Sequence, residues 1–82
     1  MPQLTLKDVI DTNNGDEEDV LNLKKNLQDL GYYQTPDYGM TGYTDEETFN
    51  GIKKFQNDNG LTADGVLKPG GETETALNER LK

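Results

Sequence analysis

The strongest constraint on this chain is a run of apolar residues, Val20, Leu23, Leu27 and Leu30, spaced three and four apart and closed by Gly31. That spacing puts all four on one face of a helix, and the glycine supplies the left-handed residue that stops it. Asp16 is placed to cap this helix, with Glu17, Glu18 and Asp19 in the first turn, where the helix dipole favours negative charge. A second helix is announced by Thr44-Asp45-Glu46-Glu47, read as a capping box with Thr44 as the cap. Phe49, Ile52 and Phe55 then share a side, and Asn59-Gly60 ends the element. A third, shorter helix is expected from about Glu72 to the C-terminus with Ala76, Leu77 and Leu81 inward. The fold class expected is all-α: three compact helices with structured loops.

Residues 1–15 read as an N-terminal arm without a regular element, anchored by Leu4, Leu6, Val9 and Ile10, and residues 16–82 as the domain it packs on. Between helices two and three, Leu61 to Gly71 is rich in turn residues but keeps Leu61, Val66 and Leu67 as apolar anchors, so it reads as a structured loop. The length of 82 residues leaves room for one core and excludes a multidomain enzyme within this chain. Leu, Val, Ile and Phe make up seventeen of the 82 residues, close to the level that signals disorder when joined to a net charge of −8. Their placement argues for order. Eleven of the seventeen occupy the expected core pattern, and nine of the sixteen acids sit at helix starts. Lys24, Lys25, Lys53, Lys54, Arg80 and Lys82 follow later in the same helices, where they complement the dipoles.

The chain contains no Cys, His, Ser or Trp, which removes disulfides, thiolate or imidazole metal sites and Ser/His or Cys/His nucleophiles from consideration. The acidic balance argues against nucleic acid, whose binding requires Lys and Arg to replace phosphate counterions. No stretch has the apolar length of a membrane span, and Met1-Pro2-Gln3-Leu4 lacks the basic and apolar regions of a signal peptide. Paired carboxylates can hydrolyse glycosides, but Asp45, Glu46 and Glu47 fall in a first helical turn, without the burial a raised-pKa acid needs. Asp11 to Asp16 resembles the start of a calcium-binding loop only superficially. Its glycine is at the fifth place rather than the sixth, and Asn22 stands where the twelfth-place Glu belongs. No cofactor, metal or catalytic activity is therefore expected.

The chain also echoes itself. Leu27-Gln28 with Leu30-Gly31-Tyr32 parallels Phe55-Gln56 with Asn59-Gly60-Leu61, and Thr48-x-x-Gly51-Ile52 parallels Thr73-x-x-Ala76-Leu77. The small residues Gly51 and Ala76 suggest close helix approach. Taken in order, Val20, Leu23-Lys24, Leu27, Leu30-Gly31-Tyr32-Tyr33, Thr48, Gly51-Ile52, Phe55-Gln56, Gly60-Leu61, Asp64-Gly65, Thr73 and Ala76-Leu77 resemble the three-helix peptidoglycan-binding domain family. Two positions depart from it: Lys24 stands where the family commonly has a Gln, and Gly51 where it has Ala. The loops at Thr35 to Tyr43 and Leu67 to Glu72 are longer than the common form, with Gly39 or Gly42 replacing the first Asp-Gly turn. The resemblance implies a noncatalytic module that binds peptidoglycan or muropeptides at the cell envelope or outside the cell, beside a cell-wall hydrolase domain in the parent protein. The alternative is a structural or protein-interaction domain of a secreted or phage-borne assembly.

Candidate ligand contacts are Tyr38, Tyr43, Gln56, Tyr33 and Asp64. All four tyrosines, Tyr32, Tyr33, Tyr38 and Tyr43, fall within twelve positions, and an amphipathic ring can stack on a sugar or pack on a stem peptide. Tyr32 and Tyr33 can equally close the core after Gly31. Gln56 can bond a peptide amide or, in the more ordinary role, hold the Asp64-Gly65 turn, with Asp64 bonding its own turn. The groove expected lies beside the start of the second helix and the tyrosine-rich loop.

Overall fold

The computed structural model describes residues 4–11 and 13–81; Met1 to Gln3, Thr12 and Lys82, and with them the expected end of the third helix, lie outside the described residues. Three helices follow in order, α1 (Glu17–Asp29), α2 (Glu46–Asp58) and α3 (Glu72–Arg80), and no strand is present among the described residues. The all-α expectation is met.

The Asp16 carboxylate caps α1 by accepting from the Asp19 amide at 3.1 Å. At α2 the cap is Asp45 and not Thr44: the Asp45 carboxylate accepts from the Thr48 amide at 2.9 Å and also from the Thr48 hydroxyl. The reading one residue early failed because Asp45 combines extended backbone with a carboxylate that reaches the third helical residue, the geometry a cap requires. The start of α3 has no side-chain cap, and Glu74 instead bonds back to the Gly70 amide at 3.0 Å. Gly31 ends α1 with φ 86°, and the Tyr32 amide then reaches the Leu27 carbonyl at 2.7 Å. In the following loop it is Gly39, φ 95°, that supplies the turn, its amide bonding Pro36 O at 2.9 Å; Gly42 keeps ordinary backbone.

Val20, Leu23, Leu27, Ile52, Phe55, Leu77 and Leu81 are buried as their spacing predicts, while Leu30, Phe49 and Leu61 pack half-buried against this core. Tyr32 meets Phe55 edge to face at 5.4 Å. Two differences change the account of the core. Leu67 is fully buried where Val66 was expected, because Leu67 and Ile10 exchange backbone hydrogen bonds at 2.9 and 3.0 Å in a one-residue antiparallel bridge. Leu4, Leu6 and Ile10 join the same cluster, so the N-terminal residues fill the core as fully as the helices do. Side chains of α3 hold their backbone: Leu4 exchanges hydrogen bonds with the Asn78 amide group at 2.7 and 2.9 Å, and the Leu6 amide donates to Glu74 at 2.8 Å. From α1, the buried Asp19 accepts from the Lys7 amide at 2.8 Å. Asp19 is therefore a tie between α1 and the N-terminal residues as well as a first-turn acid.

Candidate functional site

The loop between α1 and α2 carries the four tyrosines, and a buried cation holds it in place. Lys24 leaves α1 inward and is 0% exposed. Its ammonium donates to the carbonyls of Thr41 at 2.8 Å and Tyr43 at 2.6 Å and to the Thr41 hydroxyl at 3.2 Å, and lies 3.5 Å from the Asp45 carboxylate. The Tyr33 ring flanks it, with the ammonium 5.8 Å from the ring centroid. This overturns the reading of Lys24 as a base that complements the α1 dipole: it lies mid-helix, and its charge is spent on the loop. A buried ammonium is tolerable only with its donors satisfied and a counterion near, and the loop provides both.

Lys24 also corrects the register of the internal echo. Gln28 is exposed and bonds only the start of the loop, at Thr35. The counterpart of Gln56 is Lys24: each is buried and each secures the loop that leads into the next helix. The Gln56 amide nitrogen donates to Asp64 at 3.0 Å, Thr73 Oγ1 at 3.0 Å and Val66 O at 3.3 Å, and its oxygen accepts from the Gly65 amide at 2.9 Å. Asp64 in turn accepts from the Val66 amide at 3.0 Å. That backbone bond, with the Gln56 bond added, holds the Asp64 carboxyl below the ordinary aspartate range against a smaller opposing push from burial. Gln56 and the Oδ1 atom of Asp64 thus hold the turn, the ordinary role open to them in the sequence, while both residues line the cleft at the start of α3.

The candidate residues separate into two places. Tyr38 and Tyr43 are the large exposed aromatics, 67% and 69% exposed, and both stand at the start of α2. The Tyr38 hydroxyl donates to the Asp45 cap at 3.2 Å. Tyr33 lies beneath, 7% exposed, its hydroxyl without a hydrogen-bond partner among the described residues. Next to them a cleft of about 270 Å³ runs along α2, lined by Tyr32, Tyr33, Gln34, Glu47, Asn50, Gly51 and Lys54. Gly51 is the floor of this cleft for a definite reason: a methyl group there would sit 2.5 Å from the Tyr32 carbonyl oxygen. The close approach expected at Gly51 is thus made by the loop backbone leaving α1. Gln56 leaves α2 about half a turn away from Glu47, Gly51 and Lys54, at 100° per residue, and faces a separate cleft of about 220 Å³ at the start of α3.

Burial alone would push the Asp45 carboxyl up. The Thr48 hydroxyl and amide, the Lys24 ammonium and the Tyr38 hydroxyl outweigh it and hold the group below the ordinary aspartate range. Among the described residues no group of three or more carboxylates is arranged to hold a metal ion, and no helix is long and apolar enough to cross a membrane.

Together these features define a small three-helix domain that presents two exposed tyrosines and an adjoining cleft on a loop locked from below. Residues 16–77 match the family described as "Putative peptidoglycan binding domain", and the chain belongs to that family. Membership brings peptidoglycan as the ligand and association with the cell wall. No curated protein and no solved structure matches the chain.

Proposed function

We propose that this domain is a noncatalytic wall-anchoring module that holds muropeptide on the face formed by Tyr38, Tyr43 and the α2 cleft, and so brings a cell-wall-active protein to its substrate at the cell envelope. The observation that carries this reading is the exposure of two tyrosines on a loop fixed by a fully buried lysine. Exposed aromatic rings favour solvent exclusion by a partner, and a preordered loop reduces the ordering cost of binding. Tyr33 supports the face from inside, while Gln56 and Asp64 shape the neighbouring loop without reaching this face.

A binding role also fits the acids. Glu46 and Glu47 are exposed, and Asp45 is committed to capping α2, so none of the three is the desolvated proton donor that glycoside hydrolysis requires. Of the 1–15 arm, the described Leu4, Leu6 and Ile10 complete the core of the domain that begins at Asp16.

The test is co-sedimentation with purified insoluble sacculi. The wild-type domain is expected in the pellet, with little release by moderate salt. Tyr38→Ala and Tyr43→Ala, both at exposed positions, are expected to move protein to the supernatant while leaving the thermal midpoint within about 2 °C of wild type. A wild-type domain that stays in the supernatant at every salt concentration defeats the proposal, and release of muropeptides by the domain alone defeats its noncatalytic part.

A further inference from the structure

Along one face of α2, Glu47, Asn50 and Lys54 succeed one another at spacings of three and four residues, beside Gly51, and all line the 270 Å³ cleft. Their side chains make no hydrogen bond or ion pair with the described residues, although acid, amide and base are each within reach of the next turn. A helix rises 1.5 Å per residue, so the backbone positions of Glu47 and Lys54 stand roughly 10 Å apart along the axis. That separation matches about three residues of extended peptide.

The cleft also borders an unsatisfied buried group. Tyr33 is 7% exposed, lines the cleft and has no hydrogen-bond partner for its hydroxyl among the described residues. Burial first, and then the nearby Asp45, Tyr38 and Glu47, raise its pKa above the ordinary tyrosine value, so it stays neutral. Its oxygen is enclosed by protein and is not open to a ligand seated in the cleft.

The charge at each end has a definite sign. The α2 dipole contributes about half a positive charge at the helix start, and Lys24 adds one more beneath it. Three carboxylates, Asp45, Glu46 and Glu47, outweigh both, so this end attracts a cation. At the other end the exposed Lys54 lines the cleft, whereas Lys53 lies against Gly65; Asp58, which accepts from the Tyr32 hydroxyl at 2.8 Å, does not line the cleft. That end attracts an anion.

Resting on the muropeptide reading above, we infer that the α2 cleft is a subsite for the peptide part of murein: an extended segment of about three residues, with a primary amine held at Glu47 and a free carboxylate at Lys54. Asn50 bonds its backbone midway. The Tyr32 and Tyr33 rings cover small apolar side chains. Sugar contact is left to Tyr38 and Tyr43.

The experiment measures the affinity of a soluble muropeptide bearing a tetrapeptide, of the same compound with its amine acetylated, and of the same compound with its carboxylate amidated. Each is titrated into wild type, Glu47→Gln and Lys54→Met. Both substitutions fall at exposed positions, and an unchanged thermal midpoint verifies the fold. Acetylation is expected to weaken wild-type binding about threefold to tenfold and to leave Glu47→Gln unaffected; amidation is expected to do the same for wild type and to leave Lys54→Met unaffected. If wild type binds muropeptide but neither blocked ligand is weakened, or if peptide-free glycan binds equally well, the subsite is overturned while the peptidoglycan reading stands. If wild type binds neither sacculi nor any muropeptide, both fall.

Discussion

The Lys24 ammonium donates to the Tyr43 carbonyl at 2.6 Å, joining the middle of α1 to the last residues before α2 through a side chain that solvent does not reach. The same nitrogen takes the Thr41 carbonyl, so one residue governs where Tyr38 and Tyr43 stand. Lys24→Met keeps the apolar stem and strands both carbonyls. The expected loss is about 2–4 kcal/mol in urea unfolding. Lys24→Gln, whose amide still donates, is expected to recover part of that loss and of the retention on sacculi.

Gln56 performs the matching task for the second loop, and its replacement should show it. Gln56→Leu leaves the Gly65 amide and the Thr73 hydroxyl without their partner. A loss of about 2–4 kcal/mol is expected, together with faster amide exchange at residues 64–66. Retention on sacculi should fall less than in Tyr38→Ala, because this loop faces away from the tyrosine surface.

Gly51→Ala tests the packing of the loop against α2. Alanine would improve helix propensity by about 1 kcal/mol, but its methyl group would lie 2.5 Å from the Tyr32 carbonyl oxygen, a backbone atom with no room to retreat. Overpacking of this kind costs typically 1–3 kcal/mol. The net effect expected is destabilisation, read as a lower thermal midpoint, with chemical-shift changes concentrated at Tyr32 and Tyr33.

Acid should weaken the fold through the α2 cap. The Asp45 carboxyl ionises below the ordinary aspartate range in the folded protein. Its contribution is therefore complete above the unfolded value near pH 4 and is lost as pH falls through the lower folded value. Asp64 acts in the same direction. Stability measured from pH 6 to pH 2 is expected to decline from about pH 4 downward, and Asp45→Asn should flatten that decline while lowering stability at neutral pH.

Truncation to residues 16–82 follows the family match closely and is nevertheless expected to fail. It removes Leu4, Leu6 and Ile10 from the core, and each buried aliphatic truncated to alanine typically costs about 2–5 kcal/mol. A domain of this size has only about 4–12 kcal/mol in total. Far-ultraviolet dichroism of the truncated chain is expected to show little cooperative unfolding, and the single substitution Leu6→Ala should lower the midpoint while leaving a folded protein.

Much of the fold was readable because helices are written locally. Val20, Leu23, Leu27 and Leu30 announce α1 by spacing, and Gly31 announces its end. Thr44 and Asp45 are both good cap residues in adjacent positions, so pattern alone could not separate them; backbone angle at Asp45 did. The exposed tyrosines were legible as candidates from their crowding into one loop. The division between Tyr38 and Tyr43 outside and Tyr33 inside was not, since both environments accept an amphipathic ring.

The residues 1–15 mark the same boundary from the other side. Leu4, Leu6 and Ile10 are too few and too irregular to show a period, and only their meeting with Leu67, Asn78 and Glu74 places them in the core. By itself the sequence determined three helices, their stops and the resemblance to a peptidoglycan-binding domain, all of which depend on neighbours a few positions apart. Tertiary structure decided that Lys24 is buried, that Gly51 faces a carbonyl, and that Glu47 and Lys54 share a cleft with Tyr33. Those relationships join residues up to some twenty positions apart, and burial, charge and contact there are properties of the folded surface that no local pattern carries.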